Sequence, residues 1–235
     1  MDNHDSASAG MVSEAIGGIT QHIRVHELGP GDRLPSEANF AKEMNVSRSV
    51  VREAYRSLAA MRIINLSPGK RATLAPLDHG AMSLMIEHGV LTEQISVQQI
   101  YDVRRTIETR TVTLASLRRT QAEAQAIRSH AALMMDHIDD AETVMEHDLA
   151  FHLAIAQAAR NPVFAMIVGA FQGVSRQSWP IGWRIRTQAA QRIAHVQIHI
   201  DISDAIAVGD PQRAADLMQV HFDSSTKVLL DAGLT

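Results

Sequence analysis

Cysteine is absent from this chain of 235 residues, which excludes disulfides and every form of thiol chemistry and fits a reducing compartment. No stretch approaches the roughly 18 uninterrupted apolar residues that a membrane span requires. The opening residues, MDNHDSASAG, hold neither a basic region nor an apolar run, so neither a signal peptide nor a membrane anchor is expected there. Beyond Leu77 there is no strand signal, no internal repeat and no low-complexity run. An overall excess of positive charge is missing too: the formal net charge is −4, which argues against a protein that grips polyanions with its whole surface. The catalytic spacings HExxH and Glu-x-x-His do not occur, so neither a zincin nor a di-iron bundle is written in the chain. What remains is 46% hydrophobic, enough to bury one large core or two modest ones.

The positive charge that does exist is concentrated. From Val46 to Ala75 the cations are Arg48, Arg52, Arg56, Arg62, Lys70 and Arg71, against the single acid Glu53. The first three recur every four residues, so they line one face of a predicted helix over Val46–Ala60. Val51, Ala54, Tyr55 and Leu58 form its apolar stripe, and Ser47 stands where a hydroxyl caps the first turn. A helix from Gly10 to His26 precedes it, striped by Val12, Ile16, Ile19 and Ile23, after a disordered lead over residues 1–9. Ser36 caps a short helix, Glu37 to Met44, and Asn45 takes the left-handed position that ends it. Ile63 to Leu66 and Ala72 to Leu74 read as short strands around the basic turn Ser67-Pro68-Gly69-Lys70. Three helices followed by a hairpin make a winged helix-turn-helix over residues 10–76, with a linker at 77–79.

The segment PGDRLPSEANFAKEMNVSRSVVREAYRSL resembles the DNA-binding segment of the GntR family of bacterial transcription regulators. The resemblance implies that Arg48 and Arg52 face the major groove, that Ser47 and Ser49 contact phosphate and base, and that Gly69 forms the wing tip. It departs from the family at three places. Ala38 replaces a common DNA-contacting arginine, Arg62 stands where a glycine usually ends the recognition helix, and Arg71 replaces a wing glycine. The physical reading agrees, since an arginine pairs bidentately with guanine in a groove that admits a helix. Arg48 and Arg52 are therefore assigned to base edges. Arg33, Arg56, Lys70 and Arg71 are assigned to positioning on phosphates, with Arg62 a further cation near them, and Ser36 is counted with the DNA-binding residues.

Residues 80–235 read as helices near 80–90, 96–119, 121–138, 142–160, 162–177, 187–208 and 211–231. Asn161-Pro162, Trp179-Pro180-Ile181-Gly182 and Gly209-Asp210-Pro211 punctuate them. The fold class is thus mainly α, the second part being an antiparallel bundle of six or seven helices. Inside it, Asp148 and His152 stack at i, i+4, and His221 falls on the buried stripe of Ala214, Met218, Ser225 and Val228. With His199 they make three imidazoles and a carboxylate, a donor set that suits zinc, nickel, cobalt, manganese or iron. His195, one turn before His199, is either an alternate ligand or a bystander, and His130, His137 and His147 read as surface residues. Arg104 lies on the stripe of Ile100, Ile107, Thr111 and Leu114, where a buried guanidinium requires an anion. Glu108 at i+4 is one such partner, and a ligand carboxylate is the other. Trp179 and Trp183 either line a pocket or belong to the core.

HDLAFHLAIAQAARNP and HIDISDAIAVGDPQRAADLMQVHF resemble the FCD effector-binding domain of the FadR subfamily of GntR regulators. The resemblance implies that Asp148, His152, His199 and His221 hold a divalent metal, zinc first among the candidates. It also implies that Arg104 and Asn161 sit at the effector, a small carboxylate, and that the protein is a homodimer. The expected function is a ligand-responsive transcriptional regulator of the repressor type, bound to double-stranded operator DNA in the bacterial cytoplasm and on the nucleoid, not an enzyme. Two other readings are a mononuclear helical metalloenzyme, which leaves the DNA-binding module unexplained, and a sensor of the metal itself.

Overall fold

The computed structural model of this protein describes residues 2–233, with side chains from Gly10 onward; the rest of the expected lead, Met1 and the side chains of residues 2–9, lies outside them. The chain divides between Ala81 and Met82 into two units.

In the first unit, α1 (Asp2–Val25) begins well before the expected Gly10. It packs on α3 (Arg48–Ala60), which also receives α2 (Glu37–Glu43). Each of the last two helices has the cap its sequence calls for. The Ser36 Oγ accepts from the Asn39 N–H at 3.2 Å, and the Ser47 Oγ accepts from the Val50 N–H at 3.3 Å. Asn45 takes φ of 53° and ends α2, so the chain turns directly into α3. The stripe Val51, Ala54, Tyr55 and Leu58 is buried against Ile19, Leu34, Phe40 and Ile64, which leaves Arg48, Arg52 and Arg56 outside.

Two strands, β1 (Ile64–Asn65) and β2 (Thr73–Leu74), pair antiparallel with Ile64 opposite Leu74; they are shorter than the hydrophobic runs that announced them. The Leu74 N–H donates to the Asp32 carbonyl at 2.9 Å and the Leu34 N–H to the Ala72 carbonyl at 2.9 Å, so the segment before α2 forms a third edge of the wing. The tip is a turn in which the Lys70 N–H reaches the Ser67 carbonyl at 3.1 Å. Gly69 has φ of 69°, a conformation that a side chain at the third turn position would strain.

Tyr55 joins these parts. It is buried, and its hydroxyl donates to the Pro35 carbonyl at 2.7 Å, tying α3 to the entry of α2. Burial, with the acidic Glu37 and Glu43 nearby, pushes the phenol up and keeps it a donor. Tyr55→Phe is expected to cost about 1 kcal/mol, the ordinary value of one such bond. A urea midpoint equal to that of the wild type would show the hydroxyl to be dispensable.

The second unit is helical: α4 (Gly80–Leu91, which begins in the first unit), α5 (Val97–Arg118), α6 (Gln121–Asp136), α7 (Ala141–Ala158), α8 (Pro162–Ala170), α9 (Gln172–Ile185), α10 (Ala189–Val208) and α11 (Pro211–Asp231). Among the described residues these are eight helices where the punctuation predicted at most seven. Two differences account for the change. The predicted helix 162–177 breaks at Phe171, which keeps helical dihedrals (φ −83°, ψ −9°) and so gives no breaker residue to read. The run Trp179-Pro180-Ile181-Gly182, expected to interrupt the chain, lies inside α9. Pro180 removes one helical N–H, but Val174, Ser175, Ser178, Gly182 and Trp183 bury a continuous face that holds the helix across it. The core gathers α5, α6, α7, α10 and α11 around Phe151, Met134, Ile155, Ile202, Ile206, Met218 and Phe222.

Candidate functional site

The first unit presents a cationic cleft of about 350 Å³. Ser36 from α2, Arg48 from α3, and Gly69, Lys70 and Arg71 from the wing line it, with Tyr55 at its base. Five of the ten residues assigned to DNA are thus brought to one concavity by the caps and turn described above. Ser47 and Ser49 stand beside it at the start of α3, their hydroxyls 2.8 Å apart. Arg52 is exposed one turn further along α3, and Arg33 is exposed on the strand-like segment that bridges to Thr73. Arg56 is exposed but engaged: its Nη1 donates to the Glu53 Oε1 at 2.7 Å. Arg62, counted with the cations for phosphate, is occupied by Asp78, whose two oxygens lie 2.7 and 2.9 Å from its Nε.

In the second unit, α7, α10 and α11 bring Asp148, His152, His199 and His221 into the bundle interior. Their exposures are 5, 2, 0 and 4%. The ligand atoms of His152, His199 and His221 all lie within 4.8 Å of one another, and those of Asp148, His195 and His199 do so as well. His199 belongs to both groups. Partly buried His195 therefore joins the site, an outcome the spacing had left open.

The tautomer of His199 is set by the backbone. The His195 carbonyl is 2.9 Å from His199 Nδ1 and can only accept, so Nδ1 carries the proton and Nε2 keeps its lone pair. That Nε2 lies 2.8 Å from Asp148 Oδ1 without the alignment of a hydrogen bond. His152 Nδ1 lies 2.5 Å from Glu108 Oε2, likewise off hydrogen-bond alignment. His221 Nδ1 and His152 Nε2 have no hydrogen-bond partner either. Buried imidazoles are normally satisfied, so unpartnered nitrogens gathered this closely beside a carboxylate fit a metal ion. Burial, and then the neighbouring imidazoles, lower His221 well below its ordinary range, keeping it in the neutral form that ligates. Burial pushes Asp148 up, but the close contact with His199 and the electrostatic pull of the surrounding histidines outweigh it and hold the carboxyl well below the usual carboxylate range.

Arg104 is buried, as its stripe predicts, and is paired within the chain. Its Nε donates to Glu108 Oε1 at 2.8 Å and its Nη1 to Ser175 Oγ at 2.9 Å, with the guanidinium over the rings of Tyr101 and Phe222. Its anion in the chain is Glu108, the partner that the i, i+4 spacing named, and Glu108 in turn faces His152. Arg104 therefore reaches the cluster through Glu108, as the outer carboxylate–histidine supports of metal sites do. Asn161 caps α8, its Oδ1 accepting from the Val163 N–H at 3.1 Å. His147, read as a surface residue, pairs with His130 across α6 and α7 at 3.2 Å, half-buried, while His137 is exposed. Trp183 belongs to the core and stacks on Trp179, which lines a small cavity with Tyr101 and Ser178.

A second cavity, of about 360 Å³, opens onto the cluster. Arg186, Gln191, His195, Ile198, His221 and Ser224 are among its lining residues. Arg186 escaped the sequence reading. It follows the last residue of α9, in the irregular run before α10, where no periodicity marks it as buried, yet it is 8% exposed.

Residues 99–224 match the FCD domain, more than half of the chain, and residues 12–74 match the bacterial regulatory proteins of the gntR family. The HTH-type transcriptional regulator LutR of Bacillus subtilis (strain 168) is 29% identical over 211 residues, covering 88% of this chain and 95% of that protein. The galactonate operon transcriptional repressor of Escherichia coli (strain K12) is 29% identical over 206 residues, covering 85% and 88%. Among solved structures, a Streptococcus agalactiae GntR protein shares the fold with a TM-score of 0.68 at 22% identity, covering 92% of this chain and 99% of that one. No helix among the described residues is long and apolar enough to cross a membrane. The chain is a DNA-binding transcriptional regulator, not an enzyme, and belongs to the GntR family, in the group whose second unit is an FCD domain.

Proposed function

We propose that this regulator holds a divalent transition metal at Asp148, His152, His199 and His221 and that a small carboxylate metabolite bound beside it controls its affinity for operator DNA. Zinc is the first candidate for a site of three nitrogens and one carboxylate; nickel, manganese, cobalt and iron share its preference for imidazole. The observation that carries the reading is the gathering of unpartnered, buried imidazole nitrogens within 4.8 Å of one another beside a cavity. A bound ion there supplies a positive centre for an acid. The surrounding chain supplies the fixed tautomer of His199 and, through Glu108 and Arg104, the orientation of His152. A relative named for the galactonate operon supports an acid as the effector.

On DNA, Arg48 and Arg52 read base edges from α3, Ser47 and Ser49 flank them, and Arg33, Ser36, Gly69, Lys70 and Arg71 hold phosphates. Arg56 joins them once it leaves Glu53. The chain acts as a homodimeric repressor on two half-sites in the bacterial cytoplasm. The test is fluorescence anisotropy of an operator duplex, selected in vitro, against the metal-free protein, the zinc-loaded protein, and the zinc-loaded protein with sugar acids, hydroxy acids and dicarboxylates in turn. One acid class is expected to change operator affinity by about 5- to 150-fold, the usual span of allosteric coupling. A full response to zinc alone would make the metal the signal and remove the carboxylate from the reading.

A further inference from the structure

We propose that the effector of this protein carries two acidic groups, one taken at the histidine–aspartate cluster and the other by the guanidinium of Arg186. The inference rests on the metal-and-acid reading of the site and deepens it by naming the class of acid.

Arg186 is a buried cation with a free hydrogen-bonding edge. Its Nη1 donates to the Gly182 carbonyl at 3.0 Å, and its buried Nη2 has no partner. It shares the cavity wall with His195 and His221 of the cluster, and no carboxylate lines that cavity. Asp148 is close enough to favour the charged form, though burial acts more strongly against it. A guanidinium held this far from water, facing a cavity, calls for an anion that enters from outside the chain.

The side chain is also held in place before any ligand arrives. Gly182 lets the guanidinium lie against α9: a Cβ there would stand 3.2 Å from Arg186 Nη1. The Arg192 Nε donates to the Arg186 carbonyl at 2.9 Å, and the Arg192 guanidinium lies 5.1 Å from the centre of the Trp183 ring. Backbone and side chain are thus fixed separately, so little freedom remains to be lost on binding.

Charge selects the number of acid groups. Arg104 and Glu108 cancel. Arg186 and Asp148 are the other buried charges facing the site, and they cancel in sum. A divalent ion then leaves the interior with two positive charges, which a monoanion halves and a dianion neutralises. Gln191 and Ser224 at the rim offer partners for hydroxyls. A short dicarboxylate or hydroxy-dicarboxylate meets all three demands.

The experiment is calorimetric titration of the full-length, zinc-loaded protein with matched pairs: lactate against malate, and gluconate against glucarate. In the wild type the diacid of a pair is expected to bind at least ten-fold more tightly than its monoacid. In R186Q the two should come within about two-fold while zinc content stays unchanged, and R186K should restore part of the preference. Q191E, at an exposed lining position, places a competing carboxylate in the cavity and should also erase the preference, so the test stands even where R186Q does not fold. Equal binding of both members of each pair by the wild type, or a diacid preference that survives in R186Q or Q191E, overturns the two-acid inference and leaves the metal-and-acid reading intact. A wild-type protein that holds no zinc and binds none of the four acids overturns both.

Discussion

His199→Ala is expected to empty the metal site and abolish the thermal shift that acids produce. His199 is the one side chain common to both ligand groups, and it is fully buried. Its Nδ1 is tied to the His195 carbonyl, which fixes the ring and leaves Nε2 as the ligand atom. Removing an outer support of a metal ligand lowers affinity about 10- to 100-fold, so removing the shared ligand should exceed that. The substitution also strips Asp148 of its nearest imidazole, leaving a buried carboxylate at a cost of about 1–3 kcal/mol. Metal content by mass spectrometry and melting temperature with and without acid measure the two effects. Full metal occupancy in the variant would put the ion elsewhere. Operator binding in the absence of effector should survive, because the DNA-binding unit has its own core.

Arg52→Ala should weaken operator binding by about 1–3 kcal/mol and relax discrimination at one base pair, the signature of a lost bidentate contact. The residue is exposed on the cationic face of α3 and, among the described residues, has no ion pair to break before it meets a base. Arg71→Ala provides the contrast: on the wing it should weaken every duplex alike and lower the salt dependence by about one unit. Competition against single-substituted operators, repeated across salt concentrations, separates the two. Uniform weakening by Arg52→Ala would move that arginine to the backbone class.

What the sequence disclosed was whatever local spacing controls. Ser36, Asn45 and Ser47 act on backbone groups within three residues, so the helix-turn-helix could be read directly. The i, i+4 pair Asp148–His152 and the stripe bearing His221 likewise define faces of single helices, and helix packing supplied the rest. The failures share the opposite property. Pro180 punctuates a sequence, but a buried face on α9 overrides it. Glu108 divides its two oxygens between Arg104 and His152, the latter on another helix, which no one-helix pattern reveals. Arg186 sits at the end of a helix, where burial depends on Gly182 and on the cavity formed with α10 and α11. His147 seemed a surface residue because its partner, His130, belongs to a different stripe.

Arg62 carries one more consequence. It occupies a left-handed backbone position (φ 59°) just past the recognition helix, a conformation in which a glycine is unstrained. In return its guanidinium holds Asp78, whose carboxylate also accepts from the Gly80 N–H. Those two donors, the backbone N–H first, keep the Asp78 carboxyl below the usual range. The chain from residue 62 to 78 is therefore a ring whose clasp bypasses the wing. The pair ties the end of α3 directly to the segment that follows the hairpin. A glycine at position 62 would ease the turn and cut that link, trading a tether for a more relaxed backbone.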